Sequence, residues 1–401
     1  MQINYDDYLS DRSRNIPGSF IREILNLTQQ DDFISLAGGL PNPQFFPVDE
    51  FQAAMQNVLC QNGKRLMQYG VTQGLPELRE WVANRYRNLY GANIVPEQII
   101  ITNGSQQGLF LSGNVFLNAG DPLMIEKPSY LGAIQAFSSF FPKFCPVDLE
   151  ADGISLADFE RVAKHSGARL FYGIPNFQNP SGISYSLEKR DKLAGLLRKY
   201  EVVMIEDDPY GEIRFSGEPV PPVYSHLPKQ VIWSGSFSKM ISPGIRMGWL
   251  CVPNPLLKYF TRSKEAMDLH SNNLLQAAIL QFLTDNDIDE HLVTIRKAYF
   301  QQKETMRAAI EKYFPPEIKI TNPDGGMFLW AELPEGIDMQ TLVEKAIQEK
   351  VMFVPGQSFF TEPNTKNYMR LNFSNASPEN ITEGIRRLSV AIERVVQVVA
   401  G

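Results

Sequence analysis

The stretch Ser234-Gly-Ser-Phe-Ser-Lys-Met-Ile-Ser-Pro-Gly-Ile-Arg-Met-Gly-Trp249 sets one lysine between small hydroxyl residues and follows it, seven positions later, with an arginine. The lysine, Lys239, comes just after the apolar run Val231-Ile232-Trp233, which reads as a buried strand, and has Phe237, Met240 and Ile241 as neighbours. Lysines mostly occupy solvated surfaces, so one placed here either pairs with an anion or does chemistry. Desolvation and a cationic neighbour lower an amine's pKa, and a neutral amine attacks carbonyls. Ser236, Ser238 and Arg246 supply two hydroxyls and a guanidinium fork, the groups a phosphate needs. A partner carrying both a carbonyl and a phosphate, of which pyridoxal phosphate is one, fits this set. On the segment alone, a strand-to-loop junction with a snorkelling lysine fits equally well.

Moving outward, short apolar segments alternate with amphipathic ones. Ile99-Ile-Ile-Thr102 reads as a strand that runs through Asn103-Gly-Ser-Gln-Gln-Gly108 into a helix, a turn that offers free amides and a positive dipole end to an anion. Neither a Walker loop nor a Gly-x-Gly-x-x-Gly fingerprint is present. Asp121-Pro-Leu-Met-Ile-Glu-Lys-Pro-Ser-Tyr130 reads as a strand delivering Tyr130 to a helix start, and Leu170-Phe-Tyr-Gly-Ile-Pro175 as one ending in the proline- and asparagine-rich loop Asn176-Phe-Gln-Asn-Pro-Ser-Gly182. Val202-Val-Met-Ile-Glu-Asp-Asp-Pro-Tyr210 carries acids at the end of a buried strand, where open α/β sheets bind ligands. The pattern predicts an α/β fold: a large domain over residues 51–285 with a mostly parallel, doubly wound sheet. Short strands and helices over 286–401 predict a smaller α+β domain, joined by an N-terminal arm over 1–50. In the arm, Ser19-Phe-Ile-Arg-Glu-Ile-Leu-Asn-Leu-Thr28 reads as helical and Ser35-Leu-Ala-Gly-Gly-Leu-Pro-Asn-Pro43 as a loop whose backbone approaches something closely.

Composition narrows the function classes. The chain has 401 residues, 38 of them basic and 45 acidic, for a formal charge of −7, which disfavours a nucleic-acid surface. Three dispersed cysteines and four histidines argue against a zinc site and fit a reducing compartment. No signal peptide or membrane-length apolar run is present, so a cytoplasmic location is expected.

Taken together, Ser-x-Ser-Lys with an arginine seven positions on, Asn-Pro-Ser-Gly, Asp-x-x-Tyr and Tyr-x-x-x-x-Gly-x-x-x-Leu-Arg resemble the motifs of the fold type I pyridoxal-phosphate aminotransferases of class I and II, over nearly the whole chain. The resemblance implies pyridoxal 5'-phosphate as cofactor and amino-group exchange between an amino acid and a 2-oxo acid by a ping-pong route. Carried over by position, Lys239 is the Schiff-base lysine, and Asp207, 32 residues earlier, is the partner of the pyridine nitrogen. Asn179 and Tyr210 match the donors to the ring oxygen, and Tyr130 the ring that stacks on the cofactor. The phosphate cup matches Ser105, Gln106, Ser236, Ser238 and Arg246, together with Tyr69, which the family supplies from a neighbouring subunit, so a homodimer with shared sites is implied. Arg370 matches the clamp on the substrate α-carboxylate and Gly39 the loop lying over it. By its residues alone, Arg370 reads equally as an internal salt bridge.

The arm also resembles that of the 2-aminoadipate and kynurenine aminotransferase subgroup, whose members take aromatic and branched-chain amino acids as well. Arg22 there sits where an arginine meets a distal carboxylate, or else pairs with a surface acid such as Glu23. Two alternatives accompany this reading. A lyase or decarboxylase would share the scaffold. A ligand-sensing module fused to a DNA-binding domain would need a basic domain ahead of the arm, and the arm begins almost at Met1.

Overall fold

A computed structural model describes residues 3–18, 32–363 and 367–400. The expected helix at 19–28, and Arg22 within it, lie outside the described residues. Among the described residues, fourteen strands follow in chain order: β1 (Ile34–Ser35), β2 (Ile99–Thr102), β3 (Pro122–Lys127), β4 (Lys143–Glu150), β5 (Gly153–Ile154), β6 (Leu170–Gly173), β7 (Val203–Asp207), β8 (Val231–Ser236), β9 (Gly248–Cys251), β10 (Lys319–Ile320), β11 (Phe328–Glu332), β12 (Val351–Met352), β13 (Val354–Pro355) and β14 (Tyr368–Asn372).

Eight of these form one sheet in the order β2-β9-β8-β7-β6-β3-β4-β5. The run from β8 through β7, β6 and β3 to β4 is parallel, while β9 is antiparallel to both its neighbours and β5 is antiparallel to β4. Strands such as β2, β6 and β8 are buried along their whole length, which is why they read as unbroken apolar runs rather than alternating ones. The helix Pro76–Tyr90 starts on proline and ends on Gly91 at φ 62, and it covers one face by stacking Tyr86 on the fully buried Trp233 with ring centroids 3.8 Å apart.

The register of this sheet assembles its functional edge. Gly248, at the start of β9, pairs with Thr102 at the end of β2 and with Ser236 at the end of β8. Because β9 runs the opposite way, the residues just before it meet the residues just after β2 and β8. Arg246 is thereby brought to the turn that opens the helix Ser105–Phe116 and to the turn that carries Lys239.

A second, antiparallel sheet has the order β10-β11-β14-β13, and β1 pairs in parallel with β12. The sequence pattern suggests a single strand over residues 351–354; the chain instead changes partner at Phe353, leaving β1 and joining β14. Arg370, in the middle of β14, lies opposite Trp330 on one side and Val354 on the other. The helices Ile288–Tyr313, Met339–Gln348 and Pro378–Ala400 accompany this sheet. Among the described residues, no helix is long and apolar enough to cross a membrane.

Candidate active site

Lys239 leaves the end of β8 in a tightly held turn. Ser238 donates its N–H to Ser236 Oγ at 3.1 Å, Phe237 N–H bonds Met247 O at 3.1 Å, and the Phe237 ring packs edge-on against Trp249 at 4.6 Å. With the backbone fixed, the half-buried lysine opens onto a cavity of about 450 Å³, where Nζ donates to Gly39 O at 3.1 Å. Burial, reinforced by the cations Arg370 and Arg246, pulls the ammonium down to about 8. A fraction of the amine is then neutral near physiological pH and nucleophilic.

Asp207 enters the same cavity from the end of β7. Its Oδ2 accepts the Tyr172 hydroxyl at 2.9 Å, while Oδ1 is buried without a protein partner. Burial pushes the carboxyl up to about 6, against the opposing pull of the hydroxyls of Tyr172 and of Ser234, its neighbour on β8. A buried carboxylate oxygen without a hydrogen-bond partner, on a residue that lines a cavity, calls for a ligand N–H or a cation there.

Asn179 joins three groups. Its side-chain Nδ2 donates to the Tyr210 hydroxyl at 3.3 Å and its Oδ1 accepts from Arg370 Nη1 at 2.8 Å. Arg370 also donates to Ala37 O at 2.8 Å, lies over the Phe328 ring at 4.2 Å and leaves Nε unpartnered. Among the described residues no carboxylate lies within ion-pair distance of this guanidinium, which argues against the internal salt bridge and leaves a buried fork without its anion. Burial draws it down to about 10, and burial also raises the Tyr210 phenol.

At the β2 end, Gly104 at φ +78 turns the chain into the helix Ser105–Phe116. A Cβ on Gly104 would come within 2.7 Å of Arg246 Nη2, so the guanidinium lies directly on this turn. Arg246 itself adopts φ 53, an uncommon backbone for a non-glycine residue and one that here aims the side chain. Ser105, Gln106, Ser236 and Ser238 line the cavity with it, and Gln106 Nε2 ties the turn to Gly132 O at 2.7 Å. Tyr130, at the start of the helix Leu131–Ser138, folds over Gly132, where a Cβ would sit 2.6 Å from its hydroxyl.

The cavity therefore carries three cations, Lys239, Arg246 and Arg370, against one carboxylate, Asp207. That balance suits a ligand with several negative charges and one site for Asp207 to accept from. Of the sequence-predicted residues, those from the strand ends, Gly39 and Arg370 converge here. Tyr69 does not: it is 78% exposed and meets the His270 ring edge-on at 5.9 Å, away from this chain's own cavity. Arg22 lies outside the described residues. Sequence reasoning missed Tyr172 and Phe328. Phe328 follows the pair Gly325-Gly326, a signal that could have flagged it, whereas nothing local distinguishes Tyr172 from its strand neighbours.

Residues 34–388 match the family model described as aminotransferase class I and II. The aromatic-amino-acid aminotransferase 1 of Thermococcus litoralis is 38% identical, with 98% of this chain and 95% of that protein covered. Among solved structures, a multiple substrate aminotransferase from Thermococcus profundus superposes with a TM-score of 0.94 at 38% identity, covering 99% of this chain and 100% of that one. The α-aminoadipate aminotransferase of Thermus thermophilus, solved with N-(5'-phosphopyridoxyl)-L-leucine, superposes with a TM-score of 0.92 at 35% identity, covering 99% of this chain and 100% of that one.

Proposed function

Because the chain belongs to the class I and II aminotransferases, we propose that the cavity around Lys239 is the transamination site and that the residues named above hold its cofactor and substrate. The enzyme is an aminotransferase and its cofactor is pyridoxal 5'-phosphate. The observation that carries the site assignment is that Lys239 and Asp207 line one cavity and that Asp207 Oδ1 is buried with no hydrogen-bond partner among the described residues.

The residues fit the cofactor. Lys239 would bind its aldehyde, Asp207 would accept from the pyridine nitrogen, and Tyr130 would lie against the ring. Asn179 and Tyr210 would donate to the ring oxygen, and Ser105, Gln106, Ser236, Ser238 and Arg246 would hold the phosphate. When bound, the cofactor supplies an electron sink for the pair released as the substrate Cα–H bond breaks.

The chain's own groups do the rest. Arg370, whose buried fork lacks an anion, takes the α-carboxylate bidentately and so orients Cα, and Gly39 lies over the bound substrate. Once the substrate amine has displaced it from the aldehyde, Lys239 Nζ, with its lowered proton affinity, would take the proton from the substrate Cα as general base and, as general acid, deliver it to the carbon that had carried the aldehyde. Amino donor and 2-oxo acid acceptor use this one site in turn, a ping-pong order. Tyr69, exposed on its own subunit, reaches the partner's site in a homodimer.

For substrates, the cavity lining includes the apolar Leu40, Leu131 and Phe328, which suit aromatic and branched side chains. An acidic side chain such as that of 2-aminoadipate would draw on Arg22, with 2-oxoglutarate as acceptor. A panel of amino donors against 2-oxoglutarate tests this choice. Unchanged relative rates for 2-aminoadipate and leucine in Arg22→Ala would remove Arg22 from selection. For the assignment as a whole, the protein with bound cofactor is expected to be yellow, and Lys239→Ala to lose both the visible band and nearly all transfer. A colourless wild type would overturn it. Decarboxylation or elimination without amino-group exchange would point to the lyase alternative.

A further inference from the structure

Glu126 on β3 is 1% exposed, does not line the cavity, and has no lysine or arginine within ion-pair distance among the described residues. Burial without a cation pushes this carboxyl up to about 7, and hydrogen-bond donors on both oxygens pull the other way, favouring its charged form. Its Oε1 accepts from Ile174 N–H at 3.0 Å and from the Tyr185 hydroxyl at 2.5 Å; its Oε2 accepts from Gln178 Nε2 at 3.0 Å. The three donors lie before, within and after the 176–182 loop, all on the segment that leaves β6.

Gln178 passes the constraint on. Its Nε2 also reaches Pro128 O at 2.8 Å, and its Oε1 accepts the N–H and the hydroxyl of Ser181 at 2.9 and 2.7 Å. Asn179, the next residue, is the one that bridges Tyr210 and Arg370. The side chain that touches ring oxygen and substrate clamp alike thus sits on a loop whose inner side is fastened to a carboxylate on another strand.

We propose that Glu126 is a positioning residue for transamination: clasped by Ile174, Tyr185 and Gln178, it holds the 176–182 loop where Asn179 can bridge Tyr210 and Arg370. This rests on the site assignment above. The donor pattern makes a sharp distinction between Glu and Gln at position 126. An amide would set an NH2 against either Gln178 Nε2 or the Ile174 and Tyr185 donors. Turning Gln178 over would relieve the first conflict but set its NH2 against the Ser181 N–H and its oxygen against Pro128 O. Glu126→Gln therefore disturbs the loop without altering packing volume.

The test compares the cofactor-loaded wild type with Glu126→Gln and with a control, Glu206→Gln. Glu206 is equally buried, on β7, and among the described residues accepts from the Val223 and Tyr224 backbone N–H at 2.9 and 2.8 Å, so the control repeats the chemical change on a carboxylate whose hydrogen bonds lie off the loop. Two quantities are read: the midpoint of the pH titration of the visible band of the lysine-bound cofactor, and KM against kcat for the amino donor. A ring oxygen with weakened donors keeps its proton to higher pH, so Glu126→Gln is expected to move the midpoint upward by roughly half a unit or more. KM is expected to rise about tenfold, the consequence of one misplaced hydrogen bond to a charged group. Should Glu126→Gln not yield folded protein, Gln178→Ala, on the loop side of the contact, carries the same two expectations. The inference is overturned if neither quantity moves further in Glu126→Gln, or in Gln178→Ala where that is the variant used, than in the control. A wild type that shows no visible band with the cofactor overturns the site assignment as well, whereas a normal band unmoved by the variants overturns this inference alone.

Discussion

The Tyr172 hydroxyl donates to Asp207 Oδ2 at 2.9 Å and leaves Oδ1 as a buried acceptor with no protein partner. The two residues lie on neighbouring parallel strands, β6 and β7, and Tyr172 is fully buried. One oxygen is thus spent on orientation while the other stays available. For Tyr172→Phe, the carboxyl loses the hydrogen bond that favours its charged form, and its proton affinity rises further. Cofactor binding is expected to weaken about tenfold, for a loss of roughly 1–2 kcal/mol, as read by fluorescence titration of the cofactor-free protein. Wild-type affinity would mean that the Tyr172 hydroxyl does not orient Asp207.

Lys239 predicts a pH dependence for cofactor capture. Its amine titrates near 8, lowered by burial and then by Arg370 and Arg246. The protonated form, dominant below that pH, is not a nucleophile. The rate at which cofactor-free protein develops its visible band is therefore expected to climb as pH rises through about 8 and to level off above it. Removing the cation in Arg370→Ala should raise the amine's proton affinity and move the climb to higher pH. An identical profile in that variant would mean that Arg370 does not act on Lys239 through its charge.

Arg370 carries a prediction about every substrate. Its fork is held by Asn179 Oδ1 and Ala37 O, each at 2.8 Å, with Nε free. Arg370→Ala is expected to lower kcat/KM for all amino donors by about 2–5 kcal/mol, the effect of truncating one partner of a buried charge pair. Arg370→Lys should recover little, because an ammonium cannot bind a carboxylate bidentately. Steady-state kinetics over several donors decide this, and a loss confined to one donor would move the α-carboxylate elsewhere.

Tyr69 allows a test of subunit sharing. Its side chain is 78% exposed and away from this chain's cavity, so it acts only if it reaches a second copy. Lys239→Ala and Tyr69→Ala subunits, each impaired when pure, should regain activity on mixing, because a mixed dimer holds one site with both residues intact. No recovery on mixing, with subunit exchange verified by mass, would confine the site to one chain.

Much of this cavity was legible in the sequence because its wall is built from contiguous pieces. Ile99–Thr102 followed by Gly104 and Ser105, the acids closing Val203–Asp207, and the turn between Ser236 and Lys239 each place their reactive side chains by local geometry: strand, tight turn, helix start. Alternating strands and helices then put those turns on one edge, since parallel strands share their carboxyl ends. Arg246 was legible by spacing, although its arrival at the Gly104 turn depends on β9 running against its neighbours.

What the sequence determined by itself was therefore the α/β alternation, the family motifs and the residue types at the strand ends, all properties of stretches within which backbone geometry propagates from one residue to the next. Only the tertiary structure decided which distant side chains meet: Lys239 with Gly39, Arg370 with Asn179, Tyr172 with Asp207, and Glu126 with the 176–182 loop. Those pairings follow from sheet register and from the burial of polar groups that must find partners across the fold, and neither is encoded in the spacing of any one segment.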